Sequence, residues 1–267
     1  MAGQSGTAAV VEVDSGRLLA SYRLDVAART LAAPGSTFKP FTLAALLESG
    51  QITPQTTLVC KRRVRLAGQS LDCTHVATAE PLDPVAALAY SCNYFFAHQG
   101  RRLSARELAE AVRRSGLTSP SKLVDGEAAG TVRVAASEEE KQLEAMGHAG
   151  VETTPLALLM AYRQLALKRK QSSGNDVLAP LFAGLEAGTE YGTGQLAQPE
   201  GLRVAGKTGT ARARPGAWTH GWFVGYAPAD KPEVAVVVFL ERGRGGSDAA
   251  PLAREIFAAW QAHRSRR

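Results

Sequence analysis

The stretch "APGSTFKPFT", residues 32–41, places Ser36 and Lys39 three positions apart at the start of an apolar run. On a helix, positions three apart share a face, so a hydroxyl would lie beside an amine. An apolar setting disfavours the charged form of a lysine and lowers its pKa. A neutral amine can then accept the proton of a serine nucleophile. A serine in a first helical turn also keeps its N–H free of an intrahelical partner, available to hold an oxyanion.

Ser-x-x-Lys alone is weak, since it should arise about once by chance in a chain this long. A second copy, "SPSK", gives Ser119 and Lys122. A further element, Ser91-Cys92-Asn93, offers a hydroxyl to pass a proton and an amide to grip a peptide bond. It too has a counterpart, Ser173-Gly174-Asn175, at nearly the same interval from Ser119 as Ser91 is from Ser36. Local context separates the sets. Ser119 precedes a proline with no apolar helix after it, and residues 173–175 lie in a hydrophilic loop. By contrast, "STFKPFTLAALL" opens an apolar helix, and "SCNYFF" joins a helix to an aromatic run. The stretch "KTGT" occurs once, inside a strand pattern. Lys207 can supply positive charge, Thr208 and Thr210 hydroxyls, and Gly209 room for a ligand to approach the backbone.

The elements that must position these residues are legible from periodicity. Residues 6–24 predict a hairpin turning at Asp14-Ser15-Gly16, and residues 37–50 a helix ended by glycine. Residues 51–80 predict loop. Helical spacing recurs over 81–90, 105–116 and 154–170, Ser137 with Glu140 suggests a capping box, and 171–176 is a loop. Three strands, 202–213, 220–228 and 233–242, precede a helix over 250–264. The implied fold is α+β: one antiparallel sheet built from both termini and flanked by helices, with a mostly helical second lobe. The whole chain, 1–267, is expected to form a single domain, with a sheet lobe of about 1–50 and 195–267 and a helical lobe of about 51–194. A cleft between the lobes is the expected place for a site.

Composition adds limits. With 45% hydrophobic and 21% charged residues, the 267-residue chain can bury a sizeable core. The net charge of +6 suits an anionic partner as well as it suits a solvated basic surface. "RGRGGS", 242–247, lacks interleaved aromatics and predicts no nucleic-acid binding. No apolar run is long enough to cross a membrane, and the first residues lack the pattern of a signal peptide. Three cysteines are too few for a disulfide scaffold. Cys60 and Cys73 flank a polar, basic segment, compatible with a pair or with free thiols, and Cys92 is left over. The five histidines are scattered, so neither metal nor cofactor is expected.

With its three motifs in order, the chain resembles the transpeptidase domain of penicillin-binding proteins, in the serine acyl-transfer superfamily that includes β-lactamases. "PGSTFKPFTLAALLESG", "PVAALAYSCNYFF", "GLTSPSKLVDGEAAG", "GHAGVETTPLALLMAYRQLA", "VAGKTGTA" and "GWFVGYAP" carry the likeness from about residue 8 to 240. The resemblance implies a DD-transpeptidase of peptidoglycan cross-linking that acts on D-Ala-D-Ala stem peptides and is acylated by β-lactams. It implies Ser36 as nucleophile, Lys39 as its base, and Ser91 with Lys207 relaying the proton to the leaving group. Asn93 would bind the acyl-side amide, and Thr208 and Thr210 the terminal carboxylate. The N–H groups of Ser36 and Thr210 would form the oxyanion hole.

The resemblance also implies an extracytoplasmic location, which permits a Cys60–Cys73 bridge, with membrane association only through a segment absent here. Other cell-wall synthesis proteins are expected partners. The short stretch from the hairpin to Ser36 is similar to class D β-lactamases and sensor domains. Neither the Tyr-Gly-Asn of class D nor the deacylating glutamate element of class A is found, and "YGTG" at 191–194 is the nearest counterpart of the former. Without a deacylation device a β-lactam should stay attached, which favours a target over a resistance enzyme; the alternatives are a class D-like β-lactamase and a non-catalytic β-lactam- or muropeptide-sensing domain.

Overall fold

In the computed structural model, residues 5–78, 80–172, 176–213 and 216–266 are described. Strands β1 (Gly6–Glu12) and β2 (Leu18–Tyr22) form the expected hairpin, with Gly16 turning at φ +73°. A short helix, α1 (Leu24–Arg29), precedes a 3-10 turn over Gly35–Phe38 that runs straight into α2 (Lys39–Glu48). Pro40 stands in the first turn of α2, where its missing N–H leaves no bond unmade.

The segment that follows is mostly loop, carrying only the ribbon β3 (Arg65–Leu66) and β4 (Gln69–Ser70). Helix α3 (Pro84–Ala89) is capped by the Asp83 carboxylate, which accepts the Ala86 N–H at 2.8 Å. The aromatic run after Ser91 is itself a helix, α4 (Asn93–Gln99), because Phe95 and Phe96 share the buried side. Helix α5 (Ala105–Ser115) has a full capping box from Ser104 and Glu107. After strand β5 (Thr131–Val132), helix α6 (Glu138–Ala145) has only half of the expected box. Ser137 accepts the Glu140 N–H, but the Glu140 carboxylate takes the Ala136 N–H instead.

Strand β6 (Val151–Glu152) pairs with β5 and leads into α7 (Pro155–Gln171) and α8 (Ala179–Glu190). Periodicity did not reveal α8, because Gly184 and Gly188 weaken its helical signal. Close packing explains both glycines. A Cβ on Gly184 would lie 2.9 Å from the Leu88 Cβ, and one on Gly188 would lie 3.0 Å from the Gly206 carbonyl oxygen.

The chain closes with β7 (Ala205–Arg212), β8 (Thr219–Ala227), β9 (Val234–Leu240) and α9 (Ala250–Arg264). The five long strands form one antiparallel sheet in the order β2-β1-β9-β8-β7, so strands from both ends of the chain meet at the β1–β9 pairing. Strand β9 is buried throughout because both its faces are covered. Ala235, Val237 and Phe239 pack into the core that includes α2 and α7. Val234, Val236, Val238 and Leu240 face α9 through Phe257. That burial fixes the sheet and leaves β7 as an edge against the 3-10 turn that carries Ser36.

Candidate active site

Ser36 is held by contacts that converge on its turn from distant parts of the chain. Gly35, at φ +55°, donates its N–H to the Gly147 carbonyl at 2.9 Å. The Thr37 hydroxyl donates to the Pro34 carbonyl at 2.7 Å, and the Tyr162 hydroxyl of α7 donates to the Thr37 carbonyl at 2.8 Å. A Cβ on Gly147 would strike the Gly35 carbonyl oxygen at 2.1 Å, so only glycine permits this approach. Ser36 itself remains half-exposed. Among the described residues, no hydrogen bond engages its hydroxyl.

Lys39 begins α2 and is fully buried. Its ammonium donates to the Ser91 carbonyl at 2.7 Å, the Asn93 Oδ1 at 2.6 Å and the Ser91 hydroxyl at 3.2 Å. Three bonds use all three donors of a charged lysine. Burial nonetheless lowers its pKa to about 8, opposed by negative potential from Cys92 and Cys73. Both protonation states are therefore accessible near neutral pH. The sequence places the amine against Ser36, whereas here it bridges to the Ser91–Asn93 turn. Release of the longest bond, to the Ser91 hydroxyl, would free a lone pair on the neutral amine.

Ser91 sits at φ +56°, a left-handed conformation that costs a non-glycine residue about 1–3 kcal/mol. That conformation reverses the chain between α3 and α4 and turns both the carbonyl and the hydroxyl of Ser91 toward Lys39. Asn93 accepts from Lys39 through Oδ1 and donates through Nδ2 to the Leu71 carbonyl at 2.9 Å. One amide hydrogen and one oxygen lone pair remain for a peptide group.

On β7, Lys207 is buried, and its amine donates to the Thr208 carbonyl at 3.2 Å. Burial first, and the Lys39 charge second, hold its pKa well below the ordinary lysine value. The Thr208 and Thr193 hydroxyls share one hydrogen bond at 2.7 Å, which leaves one of the two hydrogens to donate. Thr210 accepts the Gly245 N–H at 3.1 Å and keeps its own hydroxyl hydrogen. Hydroxyl donors on the same strand as a lysine are of the type that binds a carboxylate. Gly209 serves differently from the expectation of room for a ligand. The space its Cβ would fill is taken by the Pro34 carbonyl oxygen at 2.7 Å and the Thr37 Cγ2 at 2.8 Å, so its smallness lets β7 pack on the serine turn.

Sequence reasoning missed several neighbours. Thr193 lies in the "YGTG" stretch noted only as a departure from class D. Gly245 lies in "RGRGGS", whose turn over Gly245–Ala249 instead supports β7. His148 is half-buried, and desolvation, followed by the Lys39 charge, lowers its pKa to about 4. It is therefore neutral at pH 7, and its stretch "GHAG" carries no signal beyond glycine spacing.

The cysteine expectations need correction. Cys60, Cys73 and Cys92 are all free thiols, and the Cys60 and Cys73 sulfurs stand 3.6 Å apart, against about 2.05 Å for a disulfide. Cys92 is not left over but joins the other two, and His75 completes a group whose donor atoms all lie within 4.8 Å of one another. The histidines scattered along the chain gave no sign of it, because the fold brings the four residues together across a loop. A groove of about 760 Å³ lies away from these residues, between β2 and α9 beside Leu19, Tyr22, Ile256 and Trp260. None of the residues around Ser36, Lys39, Ser91 or Lys207 lines that groove.

The sheet order, the serine turn on its edge and the two lysines define the architecture of a serine acyl-transfer fold. The chain belongs to the family of the penicillin-binding protein transpeptidase domain, whose model matches residues 6–258. Among curated relatives, the peptidoglycan D,D-transpeptidase PbpA of Mycobacterium tuberculosis is 28% identical over 270 residues, covering 85% of this chain and 54% of that protein. The peptidoglycan D,D-transpeptidase MrdA of Acinetobacter baumannii is 41% identical over 85 residues, 27% of this chain and 13% of that protein. The chain thus spans about half the length of PbpA and less of MrdA. In fold it is similar to Pseudomonas aeruginosa PBP2, solved in complex with WCK 5153, with a TM-score of 0.83 at 21% identity over 97% of this chain and 74% of that one.

Proposed function

We propose that this chain is the catalytic part of a D,D-transpeptidase that cross-links peptidoglycan through an acyl-enzyme on Ser36. The observation that carries this reading is the buried Lys39 amine, which ties the serine helix to Ser91 and Asn93 with three hydrogen bonds. The Ser36 hydroxyl attacks the carbonyl of the penultimate D-Ala while its proton passes to neutral Lys39. The N–H groups of Ser36 and Thr210 hold the oxyanion. Ser91, under the influence of Lys207, relays that proton from Lys39 to the departing nitrogen as the bond to the terminal D-Ala breaks, which restores the Ser91 hydroxyl and the neutral amine. Thr208 and Thr210 grip the terminal carboxylate, and Asn93 aligns the acyl-side amide. An amine of a neighbouring stem peptide then attacks the ester, re-forming an amide and freeing Ser36.

A β-lactam presents a carbonyl and a carboxylate in the same arrangement, and its tethered leaving group blocks the second step. Peptidoglycan lies outside the cytoplasm, and on this reading the enzyme works there alongside other cell-wall synthesis proteins. Among the described residues, no helix is long and apolar enough to cross a membrane. The test supplies a pentapeptide ending in D-Ala-D-Ala together with a fluorescent D-amino acid. The proposal predicts release of free D-Ala and formation of the exchanged peptide, both abolished in Ser36→Ala. An unchanged rate in Ser36→Ala would overturn it. Rapid hydrolysis of benzylpenicillin without a lasting adduct would favour a β-lactamase instead.

A further inference from the structure

We propose that Arg212, the last residue of β7, reads a carboxylate on the donor stem peptide, borne by one of the two residues before the penultimate D-Ala. This role rests on the transpeptidase reading of Ser36 given above and adds what the acyl side of that site selects.

Strand β7 has β8 on one side, and its other side is the sheet edge against the serine turn. In an antiparallel strand the N–H and C=O of one residue point to the same side, and that side alternates along the chain. A Cβ on Gly35 would lie 3.0 Å from the Thr210 carbonyl oxygen, so the main-chain groups of Thr210 face the serine turn and not β8. Those of Arg212, two residues on, face the same way. An extended donor with its reactive carbonyl on the Thr210 N–H can give its penultimate N–H to the Thr210 carbonyl, adding a strand antiparallel to β7. The residue before the penultimate D-Ala then lies opposite Ala211, and the next one opposite Arg212. Side chains alternate too, so Arg212 shares the face of Thr208 and Thr210, about 7 Å beyond Thr210.

Charge at this end of β7 is unspent. Arg212 is exposed, and among the described residues no carboxylate pairs with it. Its ladder partner Thr219 takes the Gly243 N–H on its carbonyl at 2.9 Å and donates its hydroxyl to the Gly243 carbonyl at 2.8 Å. Those bonds hold Arg242–Arg244 against the same end of the sheet. Arg242 lies over the Trp218 ring at 4.4 Å, and the Asp248 carboxylate takes the main-chain N–H of Arg244 at 2.8 Å. Of the three arginines, Arg212 alone stands on the strand that would hold the donor. A guanidinium there can grip a carboxylate with two parallel hydrogen bonds. Two stem residues can supply that anion. A γ-linked glutamate keeps its α-carboxylate, and diaminopimelate carries a second carboxylate that lysine lacks.

The test measures kcat/KM for D-Ala release from synthetic Ac-L-Ala-γ-D-Glu-X-D-Ala-D-Ala, with the glutamate α-carboxylate free or amidated and X either L-lysine or meso-diaminopimelate. The wild type should use at least one carboxylate-bearing donor about three- to tenfold better than the amidated lysine donor, the range for one partly exposed charge-assisted pair. The two arms show which carboxylate is read, and about 0.5 M NaCl should shrink the preference. In Arg212→Ala the ratio should fall to within about twofold of one, with Arg212→Lys between. Arg254→Ala, on α9 and paired with Glu255, should keep the wild-type ratio. Each ratio is taken within one variant, so partial loss of folded protein does not move it. A preference that survives in Arg212→Ala, or a wild type indifferent to both carboxylates, would overturn the role of Arg212 and leave the transpeptidase reading standing. No D-Ala release from any donor would overturn both.

Discussion

Ser36-Thr37-Phe38-Lys39 and Ser119-Pro120-Ser121-Lys122 share a spacing and little else. The first opens a buried helix, and its lysine is fully enclosed with three hydrogen bonds. The second lies in a surface loop with Ser119 and Lys122 exposed, and its backbone is pinned by the Glu127 carboxylate, which accepts the Lys122 N–H at 2.8 Å. Spacing supplies proximity in both. Only enclosure changes the acid–base character of the amine, because water stabilises an exposed ammonium and a protein core does not. The first quartet has the enclosed amine that the proposed mechanism needs, and the second lacks it.

The widest expected divergence between the two is in acylation rate. Lys39→Ala should slow penicillin acylation by about 10²–10⁴-fold, the range for loss of a general base. Lys122→Ala should change it less than about twofold. Stopped-flow measurement with a fluorescent penicillin separates them, and equal losses would erase the distinction. Next in size is the pH response. Since Lys39 must be neutral to accept the serine proton and its pKa lies at about 8, the acylation rate should rise about tenfold per unit below pH 8 and level off above. A profile flat from pH 6 to 9 would remove Lys39 as the base.

A smaller effect concerns the scaffold under the serine turn. Glu144 is buried, and neither carboxylate oxygen finds a partner among the described residues. Burial raises its pKa from 4.5 to about 7. The folded state therefore holds a proton that the unfolded state has lost between those values. The associated stability is full below pH 4.5 and lost as pH rises through 7. Glu144→Gln should be more stable than the wild type at pH 8 by about 3 kcal/mol and nearly equal to it near pH 4.5. Thermal unfolding at both pH values measures this, and a destabilised variant at pH 8 would show that the carboxylate is paired.

Much of the fold was legible because its signals are local. The Asp14–Gly16 turn, the apolar period of α2 and α7, and the uninterrupted Val234–Leu240 run each declare their element. Helix α8 hid behind Gly184 and Gly188, whose reason is a contact with α3 and β7 and not a backbone preference. The same divide runs through the site. Ser36, Lys39, Ser91, Asn93, Lys207, Thr208 and Thr210 stand in short motifs that a reader of one sequence can weigh. Thr193, His148, Gly245 and the Cys60–Cys73–His75–Cys92 group are joined only by folding. Gly209 was visible, but its role in close packing was not. The second Ser-x-Asn, residues 173–175, lies outside the described residues, so the comparison rests on the two serine–lysine quartets.

The central claim is that Ser36 carries the acyl group. Intact-mass spectrometry of wild type, Ser36→Ala and Ser119→Ala after exposure to benzylpenicillin tests it directly. The account predicts one lasting penicilloyl adduct on the wild type and on Ser119→Ala, mapped by peptide sequencing to residues 32–41, and none on Ser36→Ala. An adduct that survives in Ser36→Ala, or disappears in Ser119→Ala, would contradict it.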